Sequence, residues 1–204
     1  RTVAGLKRAD VLWRRVDADW CDPLEGNAAS RIGVPGLFET IRGGALAVAN
    51  MPGAGVVESR AMMSFMPALA KYLLGQDLLI PNVATWWCGQ EAEREQILSN
   101  FDRFAIAGAF SDHVQGLGAG PRLSAQEVSG GQGNSLKEAI MMRGMDYVGQ
   151  EIVQLSTTPT LLDGRLVARP FTLRVFAAAT AQGWVVMPGG FCRVSPQADV
   201  RSIS

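Results

Sequence analysis

Apolar and polar positions alternate most clearly between Gly164 and Val194, which read GRLVARPFTLRVFAAATAQGWVVMPGGFCRV. A period of two places Phe171, Leu173 and Val175 on one face, and Thr172, Arg174 and Phe176 on the other. The pattern predicts two strands joined at Ala181-Gln182-Gly183, with Arg174 in the first. A guanidinium between a hydroxyl and an aromatic ring calls for an anion or water, or for a place at a sheet edge. The second strand runs into Met187-Pro188-Gly189-Gly190, where glycines allow backbone to approach a ligand or another chain closely.

Elsewhere the period shifts between strand and helix. Ala9–Val16 predicts a short strand before a carboxylate-rich loop carrying Asp17, Asp19, Asp22 and Glu25, and Gly26–Gly33 continues the loop. Val34–Ile41 predicts a helix ending at Gly43-Gly44, and Ala45–Ala49 a short buried strand followed by a turn from Asn50 to Gly55. Glu58–Leu74 has helical spacing with Gly75 as its stop. After the apolar run Leu78-Leu79-Ile80 and the segment Thr85–Cys88, a charged helix is expected over Gln90–Asn100. Phe104–Ala107 predicts a buried strand leading into a region with Gly108, Gly116, Gly118 and Gly120. A second cluster, Gly130, Gly131 and Gly133, precedes a helical stretch over Leu136–Arg143, and Tyr147–Leu155 predicts another strand. Interleaved helices and strands favour an α/β or α+β domain.

Composition narrows the function classes. The 204 residues are 48% hydrophobic and 19% charged with zero net charge, a globular balance with no sign of nucleic acid as partner. Three of the 19 basic residues are lysines, Lys7, Lys71 and Lys137, and the rest are arginines. That bias suits planar anions, but a GC-rich genome produces the same bias and is the better explanation. The cysteines Cys21, Cys88 and Cys192 are odd in number and form no CxxC pair. They point to a reducing, cytoplasmic setting and away from a disulfide framework or zinc site. The lone His113 cannot build a His-rich metal site, and no GxSxG elbow accompanies it. No apolar run reaches membrane-spanning length. The chain opens at Arg1 directly into periodic structure, and the expectation is a piece of a longer protein.

Three features recur where nucleotides bind. The strand and glycine-rich region from Phe104 to Gly120 can cover phosphate with backbone N–H groups, but no GxxxxGK[ST] or GxGxxG is present, and a flexible surface loop is the favoured reading of the residues alone. Gln150-Glu151 lies in an otherwise apolar strand and needs polar partners, either an adenine edge or a neighbouring strand. The turn from Asn50 to Gly55 leads to Ser59 and Arg60, an anion site or an ordinary turn with Ser59 as helix cap. Asp17, Asp19 and Asp22 suit Mg²⁺ by ligand type, with a solvated acidic loop balanced by Arg14 and Arg15 as the simpler reading. Met62, Met63, Met66, Trp86 and Trp87 read as core.

Five ordered segments carry a resemblance: ADVLWRRVDADWCDPLE, RIGVPGLFETIRGGALAVANMPGAGVVES, MPALAKYLLGQDLLIPNVATWWCG, YVGQEIVQLSTTP and RPFTLRVFAAATAQGWVVMPGGFCRVS. Together the segments resemble the bacterial circularly permuted ATP-grasp family, related to the synthetase half of glutathionylspermidine synthetase, over most of the chain except Phe110–Arg143. The resemblance implies an α+β, ATP-grasp-like fold of mainly antiparallel sheets with flanking helices, incomplete within residues 1–204 of a single domain. Residues 1–100 would form its N-terminal portion and 101–204 the nucleotide side with the hairpin. It further implies an ATP- and Mg²⁺-dependent carboxylate–amine ligase acting through an acyl phosphate on small-molecule or peptide substrates. By position, Gln150 and Glu151 match the strand beside adenine, Arg174 the cation facing phosphate or acyl phosphate, and Asn50 to Arg60 a phosphate-side turn and helix. Arg14, Arg15 and Asp17 match the acceptor or phosphate side. Two departures stand against intact catalysis. Ala107-Gly108 occupies the place of a Lys-Pro pair whose lysine contacts phosphate, and the family's metal ligands lie upstream of the segment matching Arg1. A catalytically degenerate binding or scaffolding module is therefore the alternative.

Overall fold

A computed structural model describes residues 3, 5–111, 123, 124 and 131–197. His113, Gly116, Gly118, Gly120 and Gly130 lie outside the described residues. Near the N-terminus, β1 (Val11–Trp13) pairs in parallel with β2 (Ala47–Ala49), Val11 opposite Ala47. Between them run α1 (Ala18–Cys21), inside what the sequence suggests is a loop, and α2 (Leu37–Arg42). β2 is not the buried strand expected: its end residues are exposed. A ladder of two such short strands has too little neighbouring mass to cover both faces.

The helix expected over Glu58–Leu74 is broken. A 3-10 turn (Ala54–Glu58) leads to α3 (Arg60–Met63), and α4 (Met66–Leu74) begins anew. Pro67 explains the break. Lacking an N–H, it cannot bond to the carbonyl of Met63, but it fits the first turn of a new helix. Gly75 ends α4 in the left-handed region at φ 67°, and its N–H donates to Lys71 O at 3.0 Å. The run Leu78-Leu79-Ile80 does not pack as core, with Leu79 94% exposed.

The described core lies in an antiparallel sheet of β3 (Thr85–Trp87), β4 (Phe104–Gly108), β5 (Leu123–Ser124) and β6 (Tyr147–Glu151), ordered β3-β6-β4-β5. β6 is shorter than its apolar run suggests, ending before residues 152–156. One face packs on α5 (Glu91–Ser99) and α6 (Gly131–Met142), the latter starting before the expected Leu136. Ile97, Phe101, Leu136 and Ile140 from this side meet Phe104, Ile106 and Tyr147 of the sheet. Gly149 makes room for this packing, because a Cβ would fall 2.7 Å from Ile97 Cδ1 and force that side chain to shift. Burial of these side chains removes most of their apolar area from water, worth about 1.5–3 kcal/mol for each large one.

A second antiparallel sheet contains β7 (Thr157–Leu162), β8 (Arg165–Thr180) and β9 (Gly183–Val194), in that order. β8 and β9 are the expected hairpin, turning at Ala181-Gln182. β7 escapes a sequence reading because Pro159 interrupts it; as an edge strand it tolerates the missing donor. The pairing slips between Val175–Gly190 and Ala177–Val186, so Met187, Pro188 and Gly189 bulge opposite Phe176. Gly190 sits against the partner strand, where a Cβ would lie 2.4 Å from Arg174 O. The observed architecture is α+β, with mainly antiparallel sheets and flanking helices, as expected. Among the described residues no helix is long and apolar enough to cross a membrane.

Candidate functional site

The second face of the four-stranded sheet is where polar chemistry gathers. Register places Gln150 beside Thr85 and Ala105, and Val148 beside Trp87 and Ala107, so these residues share that face. α3 lies across it, with Ala61 packed against Ala107, Ala109 and Val148. Two features fix α3 in place. Ser59 caps it, its Oγ accepting from Met62 N–H at 3.3 Å, and Ala61 N–H donates to Ala109 O at 3.2 Å. Arg60 then reaches the end of β4, where its Nη1 donates to Gly108 O at 3.2 Å. Arg60, Glu58, Ser59, Met63 and Ser111 line a cleft of about 360 Å³.

Gln150 is 1% exposed. Its Nε2 donates to Thr85 Oγ1 at 2.9 Å and lies 3.8 Å from Met63 Sδ, in the wall of the same cleft. Thr85 spends its own proton on Val83 O at 2.9 Å, so its oxygen can only accept from Gln150. That fixes the amide orientation and leaves Gln150 Oε1 buried without a donor. An orphaned buried acceptor costs about 1–3 kcal/mol. Neither Met63 nor Thr85 stands out in the sequence as a site residue. Their role appears only when strand register and α3 meet at Gln150.

The other predicted site residues are elsewhere. Glu151 follows Gln150 in β6 and therefore faces the α5 side, where it lines a different cleft. Arg174 is exposed on β8 opposite Phe191, and its guanidinium forms no hydrogen bond or ion pair with a described residue. On its face, Phe176 and Phe191 stack edge to face with centroids 5.7 Å apart. Asn50 adopts φ 62° in the turn after β2, where its Nδ2 donates to Arg14 O at 3.2 Å. Arg14 answers with Nε to Asn50 O at 2.5 Å and Nη2 to Met51 O at 3.4 Å, and also bonds Val16 O. Arg14 is thus a clamp on backbone carbonyls. Arg15 sits 5.6 Å from the Trp13 ring centroid and lines a separate pocket with Asp17. None of Glu151, Asn50 or Arg174 lines the cleft that contains Arg60.

Asp22 is not part of a solvated acidic loop. It is buried, and its carboxylate accepts from Leu24 N–H at 3.0 Å, Gly36 N–H at 3.2 Å and Phe38 N–H at 3.0 Å. Burial opposes its charge, but the backbone donors of Leu24, Phe38, Gly36 and Leu37 outweigh burial and hold its carboxyl below the ordinary value of 3.8. Among the described residues no group of three or more His, Cys, Asp or Glu could hold a metal ion.

Ala107 is fully buried among Ala61, Ala109 and Val148, leaving no cation at that position. Neither of the nearest lysines in sequence compensates. Lys71 lies 3.4 Å from Asp77, and Lys137 sits 4.9 Å from the Phe101 ring centroid on the opposite sheet face.

The family described as circularly permuted ATP-grasp type 2 matches residues 1–195. An uncharacterized protein of Synechocystis sp. is 33% identical over 195 residues, covering 96% of this chain and 40% of the relative. An uncharacterized protein of Mycobacterium tuberculosis is 34% identical over 190 residues, covering 93% of this chain and 21% of the relative. A Frankia alni protein provisionally named glutamate–cysteine ligase 2-3 is 31% identical over 190 residues, again 93% of this chain and 21% of the relative. The chain therefore spans at most 40% of the length of these curated relatives.

Proposed function

The chain belongs to the circularly permuted ATP-grasp type 2 family, and from that premise we propose that it contributes part of the nucleotide site of an ATP-dependent carboxylate–amine ligase acting in the cytoplasm. The observation that supports this reading is Gln150 Oε1, a buried acceptor without a donor on the sheet face that also carries Arg60. An adenine exocyclic amine is a donor of the missing kind, and Met63 is a flexible cover that can move aside. Arg60, held at the end of β4, suits a phosphate oxygen beyond the base. Glu151 contributes through its strand rather than its side chain, and Asn50 shapes the turn that Arg14 clamps. Arg174, on a separate sheet and outside the Arg60 cleft, takes its role from the resemblance alone: a cation for the developing negative charge on the transferred phosphoryl group.

In this reading ATP phosphorylates a small-molecule or peptide carboxylate, and an amine then displaces phosphate to form an amide. The residues of this chain bind and orient the base through Gln150 and neutralise phosphate charge through Arg60 and Arg174. The described residues contain no cluster of three or more metal-ligating side chains, and no step is assigned to the metal. Residues 1–204 are read as part of one such domain, with 1–100 as its N-terminal portion and 101–204 on the nucleotide side.

One observation favours a second reading. Ala107 is sealed inside an alanine–valine cluster, which removes a cation from the phosphate side and suits a degenerate binding or scaffolding module. Calorimetric titration with an ATP analogue, with and without Mg²⁺, separates the two. Saturable binding weakened by Arg60→Gln supports the nucleotide site. A folded chain that binds no analogue under either condition refutes it and favours the module.

A further inference from the structure

A second cleft, of about 520 Å³, opens on the sheet face opposite Gln150. Its floor is aromatic: Trp86 and Phe104 meet edge to face with centroids 5.0 Å apart. Its polar rim contains Arg103, Glu151, Asn100 and Gln96. The volume lies within the range of about 300–1,000 Å³ typical of small-molecule sites.

The rim has opposite charges. Arg103 is the last residue of the 3-10 turn after α5 (Phe101–Arg103), and Glu151 is the last residue of β6. Neither side chain forms an ion pair or hydrogen bond with a described residue. α5 ends at Ser99, and its carbonyl end adds negative partial charge at the Gln96–Asn100 side. Gln96 O already accepts from Asn100 N and Nδ2, each at 3.1 Å, which orients the Asn100 amide and leaves its Oδ1 as an acceptor.

We propose that this cleft binds a free α-amino acid with an apolar side chain, its ammonium group on Glu151, its carboxylate on Arg103 and its side chain over Trp86 and Phe104. The guanidinium fork matches a carboxylate in two-point geometry, and a carboxylate beside a helix carbonyl end suits an ammonium. The two opposite charges on one rim call for a ligand carrying both. Gln150 and Glu151 point to opposite faces of β6, so this cleft is separate from the nucleotide site and its occupancy does not depend on ATP.

The test is calorimetric titration of the full 204-residue chain, without nucleotide, with phenylalanine, N-acetylphenylalanine and phenylalanine amide. Each derivative lacks one of the two charges. The expected result is saturable binding of phenylalanine and at least roughly tenfold weaker binding of both derivatives, as expected when a charged contact is lost. Arg103→Gln and Glu151→Gln should each weaken phenylalanine by a similar factor while unfolding at the wild-type temperature, since both side chains are exposed. Absence of saturable phenylalanine binding would overturn the proposal. So would equal binding of either derivative, or insensitivity to both substitutions. Because no nucleotide is present, these outcomes are independent of the test of the nucleotide site.

Discussion

Replacing Gln150 by Met should make the protein no less stable while weakening its nucleotide site. The wild-type side chain leaves one acceptor buried without a donor, which costs about 1–3 kcal/mol, and makes one amide–hydroxyl bond worth about 0.5–1.5 kcal/mol. Met removes both at similar volume. Thr85 creates no new orphan donor, because its hydroxyl keeps its bond to Val83 O. The balance is a gain of about 0–2 kcal/mol, or up to about 4–8 °C in melting temperature for a chain of this size. Urea unfolding monitored by tryptophan fluorescence reads the stability, and titration with an ATP analogue reads the binding. Loss of one neutral hydrogen bond to the base should weaken the analogue by about two- to tenfold. A variant that loses more than about 1 kcal/mol with an unchanged urea slope would refute the reasoning, because Gln150 Oε1 would then be satisfied in solution.

Gly149→Ala should cost about 1–3 kcal/mol by driving a methyl into Ile97, and much less in an Ile97→Ala background; additive effects in a double-mutant unfolding cycle would contradict the contact. Ile97→Ala alone should cost about 2–5 kcal/mol in the same assay. Asp22 has a lowered folded pKa, so its contribution is present above about 3.8 and is lost as pH falls below that value; Asp22→Asn should flatten the fall in urea midpoint between pH 5 and pH 3. Burial pushes the Cys88 thiol up to about 12 and Cys21 is also buried, so a thiol reagent should label Cys192 alone in the native protein and all three cysteines after unfolding, read by mass spectrometry.

Legibility differed by element for physical reasons. The β8–β9 hairpin was readable because alternation and a short turn are local, and α5 was readable because charged spacing and its flanks are local. β7 was not, since Pro159 argues against a strand and only its place at an edge permits it. The break between α3 and α4 had a local cause in Pro67, yet helical spacing runs across it and masks the interruption. Asp22 offered no local signal, because the Gly36 and Phe38 N–H groups that bond its carboxylate come from the segment that starts α2.

The sequence by itself determined the α+β class, most element positions, the family resemblance and the absence of a lysine at Ala107, all of which depend on residue order and period. Tertiary structure alone decided which polar groups share a site. Neighbours in β6 diverge, Gln150 to the face carrying Arg60 and Glu151 to the cleft with Arg103, because successive strand residues point oppositely. Residues distant in sequence converge, Arg60 on Gly108 and Thr85 on Gln150, because register and helix docking are set by packing of whole surfaces. A short sequence window contains the residues of one strand, but not the partners that strand will meet.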